Sequence, residues 1–268
     1  MKSLRSVLSA TSLYSVCQST DDVASRMVAG MSYHEDDPDT YLPPEYFSAK
    51  SFEAKAHVFL SKNFPKQTPL HLLIEECVVS LCEAHLSDRS AIEIRGEVPL
   101  HLRIIEDLRI THLDIEEPKK RGADGSKISL LEAELRAGIP DLSGANVLNL
   151  VSDQVFYVLF GNRRVLQNIN VICAEIRKRH QLENAARVYV PRWVERAAFL
   201  RDKGLCTVCG KDVSGILNPE NKVHYDHIVP LAMGGINCVT NIQVLCSNCN
   251  LSKGSRNTGS SNSYVPWY

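Results

Sequence analysis

Lys222-Val223-His224-Tyr225-Asp226-His227-Ile228-Val229-Pro230, then Gly234-Gly235, then Asn241-Ile242-Gln243-Val244-Leu245-Cys246-Ser247-Asn248-Cys249-Asn250-Leu251-Ser252-Lys253-Gly254 is the stretch on which the fold turns. The first run is strand-like, and the paired glycines mark a turn. The second run is apolar and leads into a pair of cysteines. Asn250 to Lys253 suits a short helix ended by Gly254. The predicted layout is strand, loop, strand, helix.

Cys246 and Cys249 have counterparts upstream in Cys206-Thr207-Val208-Cys209. Two residues between cysteines let both sulfurs grip one ion at about 2.3 Å, and two such pairs complete a tetrahedral shell. With four thiolates there is no open position, so the expected ion is one structural Zn²⁺ per chain, held by Cys206, Cys209, Cys246 and Cys249. A segment this small buries little core, and zinc binding can supply roughly 10–16 kcal/mol of apparent folding free energy. The remaining cysteines, Cys17, Cys77, Cys82, Cys173 and Cys238, show no such spacing. The first four lie in apolar, helical-looking sequence and read as small buried hydrophobes; Cys238 lies in a loop.

Outward from this segment the chain changes character. Trp193 to Arg201 reads as a short helix entering Gly204-Leu205-Cys206, with a boundary at Pro191, and Ser255 to Ser263 is small and polar. The expected organisation is a mainly helical domain over 1–190, a compact zinc-stapled unit over 191–256, and a flexible tail over 257–268. Within the first part, Phe47, Phe52, Ala56, Phe59 and Leu60 share one helical face, and Leu70, Leu73, Ile74, Cys77, Val78, Leu81 and Cys82 share another. Pro69 fits the first turn of that second helix. Further helices are predicted over 129–137, 146–160 and 163–184, and short strands around 92–94 and 110–115. His34 to Asp39 reads as an acidic loop, and His57, His71, His85 and His101 lack ligand spacing. The predicted class is α+β, a mainly helical N-terminal part with a few short strands followed by a small ββα unit.

The net charge of −1 hides an asymmetry. From Pro191 onward there are eight Lys and Arg against five Asp and Glu, whereas the preceding residues carry an acidic excess. A polyanion would therefore meet the C-terminal part. No apolar run approaches the roughly 20 residues needed to cross a bilayer, and serines break up any signal-peptide core near the start. A cytoplasmic protein without membrane contact is the expectation.

The ordered set Cys206-x-x-Cys209, Asp226-His227-Ile228-Val229-Pro230, Gly234-Gly235, Asn241-Ile242-Gln243-Val244-Leu245-Cys246-x-x-Cys249-Asn250 and Lys253-Gly254 closely resembles the HNH, or ββα-metal, endonuclease family. The likeness runs from about Arg196 to Arg256, under a quarter of the chain, and leaves the helical part outside. It implies metal-dependent hydrolysis of phosphodiester bonds in nucleic acid, with DNA the favoured partner and restriction or phage defence a fitting setting. It assigns His227 as general base, and Asp226 and Asn250 as ligands of a catalytic divalent ion. Asn250 stands where the family name has its third letter, histidine; asparagine is a known variant there. An Asp oxygen, an Asn oxygen and phosphate oxygens form an all-oxygen shell, which suits Mg²⁺ or Mn²⁺. Asn241, the middle letter, is implied to tie the loop to the strand carrying His227, with simple turn geometry the alternative. His224, Lys253 and Arg256 are candidate nucleic-acid contacts; an exposed strand histidine and ordinary helix-end cations are the plainer readings.

Two rivals stand beside this reading. Cys206, Cys209, His224, His227, Cys238, Cys246 and Cys249 offer seven ligands, one short of a two-zinc interaction module. A zinc-stabilised nucleic-acid binder without catalytic activity is the other. The helical part suits targeting, sensing or docking of a protein partner.

Overall fold

A computed structural model of the chain describes residues 12–31, 49–87, 147–216, 219–255 and 257–258. The strands expected at 92–94 and 110–115, the helix at 129–137, the acidic loop at 34–39 and Arg256 lie outside them, as does all but 257–258 of the tail. The described elements run α1 (Ser12–Met31), α2 (Ala49–Leu60), α3 (Pro69–Ser87), α4 (Val147–Leu159), α5 (Arg163–Arg179), α6 (Arg192–Arg201), β1 (His224–His227), β2 (Ile242–Leu245) and α7 (Ser247–Lys253). The architecture is α+β, a helical N-terminal region followed by a small unit of two strands and a helix. No described helix is long and apolar enough to cross a membrane.

Helix α5 is the axis of the molecule. Val165, Leu166, Ile169, Ile172, Cys173 and Ile176 are all fully buried, because α1, α2, α3 and the loop before β2 all pack on it. Asn162 caps its start by accepting from the Arg164 and Val165 backbone N–H groups. It ends at Arg179, five residues before the predicted Asn184. Gln181 takes a left-handed φ of 52°, Gln181 N donates to Lys178 O, and Leu182 N donates to Arg177 O. That is a Schellman stop built without glycine, so the sequence carried no obvious terminator. Arg177 then clamps the exit by donating to the carbonyls of Glu183 and Leu60.

Helices α2, α3, α4 and α6 fall where apolar periodicity places them, with Phe52, Ala56 and Leu60 of α2 and Leu70, Leu73, Ile74 and Cys77 of α3 buried. Helix α1 carries Cys17, buried as its helical-looking surroundings imply, but the sequence pattern does not delimit the helix. Its buried stripe is Val16, Cys17, Thr20, Val23 and Ala24, too small and too polar to mark its ends among serines. Thr20 is satisfied locally, its hydroxyl donating to Val16 O.

One continuous core joins the helices to the C-terminal unit, running from Val16 and Leu73 through Ile169 and Cys173 to Cys238, Ile242 and Val244. Asn170 of α5, fully buried, donates to Thr240 O at 3.0 Å. Helix α6 packs on β2 and is locked there by a buried ion pair. Arg201 Nε and Nη2 donate to the two Asp202 carboxylate oxygens at 2.9 and 2.8 Å, and Arg201 Nη2 also reaches Ile242 O. Asp202 Oδ2 accepts from Val244 N. Removing one partner of a buried pair strands the other charge at a cost of about 3–5 kcal/mol. Asp202→Ala is therefore expected to lower the urea midpoint sharply, and an unchanged midpoint would remove this pair from the fold's support.

Candidate active site and metal centre

Strands β1 and β2 pair antiparallel, with His224 opposite Leu245, Tyr225 opposite Val244, Asp226 opposite Gln243 and His227 opposite Ile242. Strand alternation sends His224 and Asp226 to one face of the hairpin and Tyr225 and His227 to the other. All four are half-buried, whereas β2 is buried throughout. Helix α7 packs back against β1, forming a strand–helix corner with Asp226 and His227 on the strand and Asn250 on the helix.

The loop between the strands is held by Asn241 and Gly235. Asn241 is fully buried and spends its amide entirely on backbone. Its Oδ1 accepts from Val229 N at 2.9 Å, and its Nδ2 donates to Val229 O and Ile236 O at 3.0 and 2.9 Å. Ile228 N donates to Asn241 O at 2.7 Å, extending the ladder past His227. Asn241 thus braces the loop and is spent on that task. At Gly235 a Cβ would lie 2.0 Å from Val229 O, a distance no packing can relieve, so the chain needs glycine there.

Cys206 and Cys209 come from the turn after α6, and Cys246 and Cys249 from the start of α7, where Cys246 is the N-cap. Their four sulfurs lie within 4.8 Å of one another. Thr207 fastens the upstream pair to β2, its N donating to Val244 O and its hydroxyl to Gln243 Oε1. Burial raises the Cys206 thiol, but backbone N–H groups of Cys209, Cys246 and Val208 outweigh it and bring it down to about 7. Amides aimed at a sulfur favour the thiolate, the form that binds metal. The soft four-sulfur donor set and its compactness fit one structural zinc. Among the described residues His224, His227 and Cys238 do not join the cluster. Cys238 is buried and accepts from the Thr240 hydroxyl, which removes it from a second zinc site.

At the corner, Lys253 is buried at 7 % exposure. Its ammonium lies 2.7 Å from Asp226 Oδ2 and donates to His227 O at 2.7 Å. Expected at the phosphate surface, Lys253 instead turns inward, because the Asp226 Oδ2 atom is shielded from solvent and needs a cation. A carboxylate oxygen in that state fits a hard divalent ion equally well. Asn250 lies half-buried on α7, its N–H donating to Cys246 O. His224 lines a cleft of about 300 Å³ with Lys211, Glu220, Lys222 and Asn248.

His227 Nε2 meets Asn237 Oδ1 at 3.1 Å. Burial holds the imidazole below its ordinary titration range, outweighing the Asn237 hydrogen bond and the Asp226 charge, while Lys253 and Arg187 push the same way as burial. The ring is therefore neutral at neutral pH and able to accept a proton. Asn237, 1 % exposed, was not singled out in the sequence. Following Gly234-Gly235, it looks like a turn asparagine, and nothing in its spacing shows that it faces a histidine.

Residues 206–256 match the HNH endonuclease family, so the chain carries an HNH endonuclease domain. The chain is also 38 % identical over 77 residues to the type IV methyl-directed restriction enzyme EcoKMcrA of Escherichia coli K12, covering 27 % of this chain and 27 % of that enzyme's length. No solved structure matches.

Proposed function

We propose that the HNH endonuclease domain at residues 206–256 hydrolyses phosphodiester bonds of DNA with Mg²⁺ or Mn²⁺ at its catalytic site, in the service of restriction or phage defence. The observation that carries the reading is Asp226, a carboxylate with a solvent-shielded oxygen and an ammonium at 2.7 Å, next in sequence to a neutral, half-buried histidine. Such a carboxylate is poised for a cation, and such a histidine for a proton. The similarity to a restriction enzyme supports the DNA and defence assignments.

In this reading Asp226 and Asn250 hold the divalent ion, which when bound polarises the phosphoryl oxygen and stabilises charge on the leaving oxygen. His227 takes the proton from the attacking water as that water closes on phosphorus. Asn241 keeps the loop behind His227 in register. Lys253 holds Asp226 and the His227 carbonyl from inside the corner, and Arg256, with His224 from its cleft lined by Lys211, Lys222 and Glu220, would meet backbone phosphates. The helical region docks the target or a protein partner, and the protein works in the cytoplasm.

Swapping the ligand on α7 tests the assignment. Wild type is expected to cleave with Mg²⁺ and Mn²⁺. Asn250→His, supplying an imidazole nitrogen, should retain some cleavage and shift its preference toward Co²⁺, Ni²⁺ and Zn²⁺. Asn250→Ala should lose most activity with every ion. One cleavage series across the five metals decides it. Identical profiles for all three proteins would remove Asn250 from the metal site, and absence of cleavage with any ion would favour a zinc-stabilised binding module.

A further inference from the structure

The helical region reaches His227 through Asn237. Asn237 Nδ2 donates to Ala186 O at 2.9 Å, in the segment between α5 and α6, and to Asn63 Oδ1 at 2.8 Å, in the turn after α2. Asn237 O accepts from Phe64 N at 2.7 Å. Asn237 is thus gripped by two segments that belong to the helices, and its remaining atom, Oδ1, faces His227 Nε2.

These partners fix the orientation of the amide. A backbone carbonyl can only accept, so the atom facing Ala186 O must be the NH₂ group of Asn237. The atom facing His227 is then the carbonyl oxygen, which can only accept as well. His227 Nε2 must therefore carry a hydrogen, and in the neutral ring this leaves the lone pair on Nδ1. We infer that Asn237 is a positioning residue, and that Asn63 and Ala186 of the helical region, by orienting its amide, select Nδ1 of His227 as the basic nitrogen. The inference rests on the proposed role of His227 in catalysis, but the tautomer is a property of the chain that can be read without cleavage.

The same wiring gives the helical region a task beyond docking. Its turn after α2 and its exit from α5 complete the hydrogen-bond set that holds the histidine, so a shift of either segment reaches the base directly. Asn63 is itself exposed, so the outer end of the relay is open to alteration without disturbing the core.

The test uses the full-length, zinc-loaded chain labelled with ¹⁵N at histidine, with the His227 signals assigned by their loss in His227→Ala. Wild type is expected to show Nε2 protonated and Nδ1 bare. Asn237→Ala, which removes the acceptor, should give a mixture of tautomers. Its kcat should fall about 10–100-fold with KM little changed, as misplacement of a reacting group does. Because Asn237 is buried and its loss also strips packing and hydrogen bonds from the fold, Asn63→Ala and Asn63→Asp provide the second measurement. Asn63→Ala should lower kcat about fivefold, the worth of one neutral hydrogen bond, without moving the melting temperature. Asn63→Asp, which keeps an acceptor for Asn237 Nδ2, should restore it. A wild-type ring protonated on Nδ1, or a tautomer indifferent to Asn237→Ala, would overturn the inference. So would Asn63→Ala and Asn63→Asp behaving alike. If the tautomer responds as expected while His227→Ala still cleaves, the relay stands and the catalytic reading of His227 falls.

Discussion

His227→Ala is expected to cleave DNA about 10²–10⁴-fold more slowly than wild type, the usual contribution of a positioned general base. The structure says why the loss should be kinetic. The ring is not part of the cysteine cluster, so zinc content should not change. Its strand partner Ile242 and the loop ladder through Ile228 N and Asn241 O are backbone features, which alanine preserves. The one structural debt is Asn237 Oδ1, left without its donor, at a cost of about 1–3 kcal/mol. The variant should therefore melt slightly lower, hold its zinc, and bind DNA with unchanged affinity. Cleavage rate under single-turnover conditions, zinc content and a melting curve together read this out. Near-wild-type cleavage would take His227 out of the mechanism, whereas loss of zinc alongside activity would show that the ring supports the fold.

The hairpin was legible because its constraints are local. Cysteine spacing, a Gly-Gly turn and alternating apolar residues each restrict a few neighbouring positions, and the structure places β1, β2 and α7 within the stretch that carries them. What lies between distant segments was not legible. Lys253 has the sequence signature of a helix-end cation, and only the packing of α7 on β1 shows that it faces Asp226. Asn237 sits among loop residues, and its two anchors, Asn63 and Ala186, are 174 and 51 residues away in sequence. The end of α5 was overrun because its stop uses Gln181 where glycine is usual. The bounds of helix α1 were not legible because periodicity is read from large apolar side chains, and its inward positions are Val16, Cys17, Thr20, Val23 and Ala24.

The two metals should separate cleanly. Mild EDTA is expected to abolish cleavage and leave the fold intact, because the catalytic ion is held by only two protein oxygens in the proposed site, and added Mg²⁺ or Mn²⁺ should restore activity. Cys246→Ser should act on the fold. Cys246 closes β2 and caps α7, so its sulfur is the point at which the hairpin is joined to the helix carrying Asn250 and Lys253. A structural zinc site is coupled to folding by as much as roughly 10–16 kcal/mol of apparent free energy, and serine gives up the thiolate that the site needs. The damage should not stay local. Ile242, Val244, Leu245 and Cys246 share one core with Ile169, Ile172 and Cys173 of α5, so a loosened C-terminal unit exposes the apolar face of the helix at the centre of the molecule. The expected result is a chain without zinc whose melting temperature drops as a whole, with the α-helical signal lost in the same transition. A Cys246→Ser chain that melts like wild type and binds one equivalent of zinc would show that these four cysteines are not the site. A chain that loses its zinc yet keeps the helical transition in place would show that the shared core holds α5 without help from the C-terminal unit.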